Sequence, residues 1–112
     1  MRLILAATAI LLLATSAFAA VETWKNVPLL DAMCAGSVKA NPDQHTTDCA
    51  IHCAGGGLGV LTADGAFLKF DDAGAKQALA LLKATTKKDH LRATVIGERA
   101  GETIKVKSVK LD

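Results

Sequence analysis

Val60-Leu61-Thr62-Ala63-Asp64-Gly65-Ala66-Phe67-Leu68-Lys69-Phe70, residues 60–70 of the 112-residue chain, sets the dipeptide Asp64-Gly65 between two apolar runs. Asp-Gly tolerates the positive backbone angles of a tight reversal, so the stretch predicts a β-hairpin with strands over 60–63 and 66–70 and a two-residue turn. Asp72 then serves as a helix cap, and Ala75, Ala78, Leu79 and Leu82 recur at three- and four-residue spacing to make one apolar stripe. This helix is expected to end in the polar stretch 85–89. Residues 91–97 and 103–111 read as two final strands joined through a turn that contains Gly101. Strict alternation puts Ile104 and Val106 on one face and Val109 and Leu111 on the other. A bulge near Lys107-Ser108 would restore a single buried face.

Upstream of the hairpin, residues 21–31 (VETWKNVPLLD) mix β-branched and aromatic residues with apolar ones, and Pro28 predicts an edge or interrupted strand. Asn41-Pro42 is a helix start and Gly55-Gly56-Gly57 a stop, which predicts one helix over 42–54. The resulting order is strand, helix, strand, strand, helix, strand, strand. A helix between the third and fourth of five strands matches the OB-fold, a small partly open barrel, α+β but mainly β. The first helix, carrying cysteines and histidines, is inserted between strands one and two. A plain α+β sandwich is the fallback.

The start of the chain has the three parts of a secretory signal. Arg2 supplies the positive charge, residues 3–14 are almost unbroken apolar, and Ala17-Phe18-Ala19 offers small residues to a signal peptidase. Cleavage is expected after Ala19. The apolar run is too short for the roughly 20 residues that span a bilayer. The expected organisation is therefore a signal peptide over 1–19 and a single OB-like domain over 20–112, in the periplasm or secreted. Of 112 residues, 93 remain after 19 are removed, enough for one modest core.

Loss of Arg2 takes the 13 basic residues to 12, against 11 acidic ones, so the domain lacks the basic footprint that nucleic-acid binding requires. With one Trp and no Tyr, its core must rest on Val, Leu, Ile and Ala. Domains of this size and make-up often recruit a metal or a disulfide. All three cysteines, Cys34, Cys49 and Cys53, lie in the domain, and an odd number sits awkwardly where thiols oxidise in pairs.

The richest stretch is His45-Thr46-Thr47-Asp48-Cys49-Ala50-Ile51-His52-Cys53. At about 100° per residue, His45, Cys49, Cys53 and His52 all fall within one arc of about 100°. Cys34, His45, Cys49 and Cys53 then make a Cys3His set suited to tetrahedral zinc or to Cu(I), with His52 as a spare or supporting group. The spacing is not a standard zinc signature. A c-type haem site needs C-x-x-C-H, and thioredoxin-like chemistry needs C-x-x-C; neither is present. The competing reading is a disulfide from Cys34 to Cys49 or to Cys53, with one thiol left over. A Cys49–Cys53 bond is disfavoured because adjacent turns of an intact helix hold the Cβ atoms too far apart. Redox catalysis ranks below both. It needs a cysteine of depressed pKa, and the helix C-terminus at Cys53 opposes a thiolate, leaving only Cys34.

Other features read as structural. His90 is expected to be a solvated loop residue, and Asp71-Asp72 to be helix-start charges. Residues 55–59 form a helix exit and not a phosphate cradle, since no Lys-Ser/Thr follows. Lys105, Lys107 and Lys110 protect a strand edge. Nothing forms a convincing catalytic constellation.

The runs Asp31-Ala32-Met33-Cys34, His45-Thr46-Thr47-Asp48-Cys49, Cys53, Gly59-Val60, Ala63-Asp64-Gly65 and Phe67-Leu68-Lys69-Phe70 resemble a family of small exported bacterial proteins of unknown function. The similarity extends through Val95-Ile96-Gly97 and Ile104-Lys105-Val106. It implies an OB-like C-terminal half and a Cys…His-x3-Cys-x3-Cys pattern that matches Cys34, His45, Cys49 and Cys53 and leaves His52 outside. The expectation is thus an exported small binding protein, not an enzyme, whose Cys3His cluster holds zinc or copper as a structural centre or for metal handling. The alternative is a disulfide-stapled OB-like module that binds a peptide or glycan without metal.

Overall fold

The computed structural model describes residues 20–112, and the leader assigned to 1–19 lies outside them. The chain forms strands β1 (Val21–Asp31), β2 (Leu58–Leu61), β3 (Phe67–Phe70), β4 (Arg92–Ala100) and β5 (Thr103–Leu111). Helices α1 (Ala35–Val38) and α2 (Thr47–His52) lie between β1 and β2, and α3 (Asp72–Ala84) between β3 and β4. Short 3-10 turns occur at Pro42–Gln44 and Ala54–Gly56.

The hairpin forms where Asp64-Gly65 indicated, with a longer loop than expected. Cross-strand pairing ends at Leu61 opposite Phe67, and Thr62 N–H donates to Ala66 O at 2.8 Å. Gly65 N–H closes the turn onto Thr62 O at 3.0 Å, with Gly65 itself at φ 85°. This is a turn followed by a left-handed glycine, the usual three-residue hairpin, and only Gly65 needs the positive angle.

The strands close in the order β1-β2-β3-β5-β4, and the parallel β3–β5 pairing completes a five-stranded, OB-like barrel. β1 spans the closure by changing partners. Residues 21–28 pair with β4 and Leu29–Asp31 with β2. A bulge between Trp24 and Val27, with Asn26 at φ 50°, marks the interruption that Pro28 had suggested. The bulge expected near Lys107-Ser108 is present: Ile96 faces Ser108 while Gly97 faces Val106, leaving Lys107 unmatched. One extra residue brings Val109 and Leu111 back to the face of Ile104 and Val106, and all four pack on the main core.

That core joins Leu29, Leu58, Val60, Leu68, Phe70, Val95 and Ile104 from the barrel to Ala78 and Leu82 of α3. Asp71, rather than Asp72, caps α3. Its carboxylate accepts from Gly74 N–H at 3.0 Å and also from Val106 N–H of β5 at 3.3 Å. A Cβ on Gly74 would lie 2.3 Å from Val106 Cγ2, so a glycine is what lets the first turn of α3 sit against the barrel. On the opposite face of β1, Leu30 joins Ala35 and Leu61 in a second, smaller cluster that seats α1.

The single helix expected over 42–54 is broken. His45 and Thr46 are extended, at ψ 129° and 154°, between the turn at Pro42–Gln44 and α2. Thr46 explains the break, because its hydroxyl accepts from Cys49 N–H at 3.2 Å and so starts a new helix. Thr47 then anchors α2 to the loop before β4, donating Oγ1 to Lys87 O at 2.6 Å and N–H to Lys88 O at 2.9 Å. Among the described residues, no helix is long and apolar enough to cross a membrane.

Candidate functional site: a thiol–carboxylate cluster beside the barrel

The site grows from the last residue of β1. Asp31 is fully buried, and a carboxylate taken out of water is tolerated only with strong partners. Its Oδ1 lies 2.6 Å from His45 Nε2, and its Oδ2 accepts from Cys34 N–H at 2.9 Å. Both oxygens are therefore engaged. His45 is itself buried, delivered to Asp31 by the extended link before α2.

Cys34 follows one turn after Asp31 and starts α1. Cys53 ends α2 as its C-terminal cap, with its N–H on Cys49 O. The two thiols approach because Ala32 N–H donates to Gly57 O at 2.9 Å, tying the loop after β1 to the glycine-rich turn that follows Cys53. One ligand atom each from Asp31, Cys34 and Cys53 then lie within 4.8 Å of one another. All three cysteines are free thiols, with Cys34 and Cys53 half-buried and Cys49 exposed.

Burial pushes the Cys34 thiol up to about 11 from 9.0, and the Asp31 carboxylate beside it, followed by Cys53, adds to the shift. A thiol held in this way is a poor free nucleophile, since the thiolate is the reactive form. The environment opposes the expected redox candidate. A bound cation changes that balance, because metal coordination supplies the positive charge that holds a thiolate.

Of the four residues expected to converge, Cys34, His45, Cys49 and Cys53, the structure brings Cys34 and Cys53 into the cluster. His45 reaches it only through Asp31. Cys49 lies outside, lining a shallow depression of about 340 Å³ with Gln44, His45 and Thr46. His52 is exposed on α2. The helical projection failed for His45 because His45 is not on the helix. Asp31 was the missed member. Its signal was an acidic residue closing the apolar run Val27-Pro28-Leu29-Leu30, where a charge must find buried partners.

His90 is exposed in a loop at φ 51°, paired with its neighbour Asp89, which matches its reading as a surface residue. Fold and site together define a small OB-like barrel that carries a buried Asp–His pair against two adjacent thiols, a group with the composition of a metal-binding site. Comparison with protein-family models, with curated proteins and with solved structures finds no match to this chain.

Proposed function

We propose that this chain is an exported small binding protein that holds a transition metal at Asp31, Cys34 and Cys53. The observation that carries this reading is the convergence of two thiols and a buried carboxylate within 4.8 Å. Such a donor set suits zinc or copper. The signal-like start, with Arg2, an apolar run and Ala17-Phe18-Ala19, directs the domain to an oxidising compartment, where a bound ion protects paired thiols. His45 supports the centre by fixing the orientation of Asp31, as groups behind a metal ligand commonly do. The ion serves as a structural centre or, if exchangeable, in metal handling. The likeness to the small exported family is part of the same proposal.

The proximity of Cys34 and Cys53 also favours a second reading, a disulfide between them in a metal-free barrel that binds a peptide or glycan. Elemental analysis of protein purified from the periplasm, with intact mass after alkylation under non-reducing conditions, separates the two. The metal reading expects about one ion per chain and three alkylated thiols. A chain without metal, two hydrogens lighter and alkylated only at Cys49, overturns it.

A further inference from the structure

We propose that the cleft between the glycine-rich turn and α3 binds a small amphipathic monoanion, a carboxylate on a short alkyl body. This goes beyond the metal-binding reading and does not rest on it, since Asp31, Cys34 and Cys53 do not line the cleft.

The cleft exists because two pieces of chain meet without closing. Residues 54–57 form one wall and the first two turns of α3 the other, and Leu58 and Phe70, from the paired strands β2 and β3, lie between them. The space they leave is about 330 Å³, at the lower end of the range for small-molecule sites, so the ligand is small. Ala54, Ala75 and Leu79 pack on the barrel core yet stay only half-buried, and all three adjoin this one cleft. An alkyl chain laid there covers apolar surface that otherwise meets water, and each methylene fully buried favours binding about fourfold.

The charge at the rim selects the other end of the ligand. Lys69, Lys76 and Asp72 are the charged residues of the cleft, and all three are exposed. Among the described residues the ion pairs are His45–Asp31, His90–Asp89, Arg92–Asp43 and Lys107–Glu98, so neither lysine has a carboxylate partner, Asp72 included. Two cations against one anion leave the rim with a net charge of +1, which a single carboxylate neutralises.

Gly57 places one of these cations. Its φ of 108° favours glycine, and a Cβ built on it would overlap Lys69 Cε and fall 3.1 Å from Nζ. The stem of Lys69 therefore lies across the turn, with its ammonium beside the wall of the cleft.

The test is a titration of isotope-labelled protein, purified from the periplasm, with sodium octanoate, followed by NMR amide shifts. The inference expects saturable shifts in residues 54–57, 69–70 and 72–79, and none at Cys49, which lines a separate depression. Octanol, which keeps the chain and lacks the charge, binds about tenfold weaker, the product of two exposed ion pairs at about threefold each. Butanoate, which keeps the charge and shortens the chain, is weaker by more than about tenfold. Lys69→Met and Lys76→Met keep the stems and remove the charges, so each weakens octanoate about threefold and leaves octanol bound no more weakly. Asp72→Asn removes the opposing charge and tightens octanoate about threefold, a direction that loss of structure does not produce. Equal affinity for octanoate and octanol overturns the anion assignment. Shifts that do not saturate, or that fall outside the cleft, overturn the site. Neither result touches the metal-binding reading.

Discussion

Asp31 organises the site at the scale of single residues. Its two oxygens serve a histidine from one segment and a backbone amide from another, so one buried carboxylate orders both sides of the loop that carries Cys34. The same charge, together with burial, keeps Cys34 protonated. In metal-free, reduced protein, site-resolved alkylation of Cys34 should rise with pH along a curve centred near 11 instead of the ordinary 9.0. Burial is the larger cause, so Asp31→Asn should lower that midpoint only part of the way. A Cys34 profile centred below 9 would contradict the described environment. The sign for stability follows by linkage. Between pH 9.0 and about 11 the folded thiol keeps a proton that the unfolded chain releases, so this contribution is present below pH 9.0 and is lost as pH rises through that window.

At the scale of elements, two helix starts do different amounts of work. Thr46 satisfies one amide, Cys49 N–H, and begins a helix of only six residues. Asp71 satisfies Gly74 N–H and also holds Val106 N–H of the barrel, so it caps α3 and docks it at once. Urea denaturation should show Thr46→Ala costing about 1 kcal/mol and Asp71→Ala toward the upper end of the capping range, about 2 kcal/mol. Equal losses would argue against the docking role. The extended link at His45 and Thr46 is equally consequential, because it turns His45 inward while Cys49, on the next turn of chain, faces solvent.

Over the whole molecule, among the described residues, stability rests chiefly on the larger barrel core, built almost entirely from aliphatic side chains with Phe70 as its one buried aromatic. Leu68 is fully buried among it, whereas Val21, at the start of β1, is 51 % exposed. Leu68→Ala should therefore cost about 2–5 kcal/mol, a large part of the total stability of a domain this small. Val21→Ala should stay within about 0.5 kcal/mol. Thermal unfolding of the two variants checks the contrast, and a mild effect at Leu68 would mean that the core collapses around the cavity.

The sequence by itself determined the barrel and the inventory of donors. Alternation with its bulge at Lys107, the Asp64-Gly65 reversal and the stripe of α3 are local patterns, legible because each depends on neighbours a few residues apart. Which donors meet was decided by the tertiary structure. A helical projection places His45, Cys49 and Cys53 on one face only if the helix is continuous, and a capping hydroxyl at Thr46 breaks it. Asp31 and His45 are 14 residues apart, and their pairing is driven by the cost of burying a carboxylate at the end of β1, which no spacing rule records. Likewise Cys34 and Cys53 become neighbours because β1 and β2 pair and Ala32 closes onto Gly57. Long-range strand pairing, rather than helix periodicity, selected the pair of thiols.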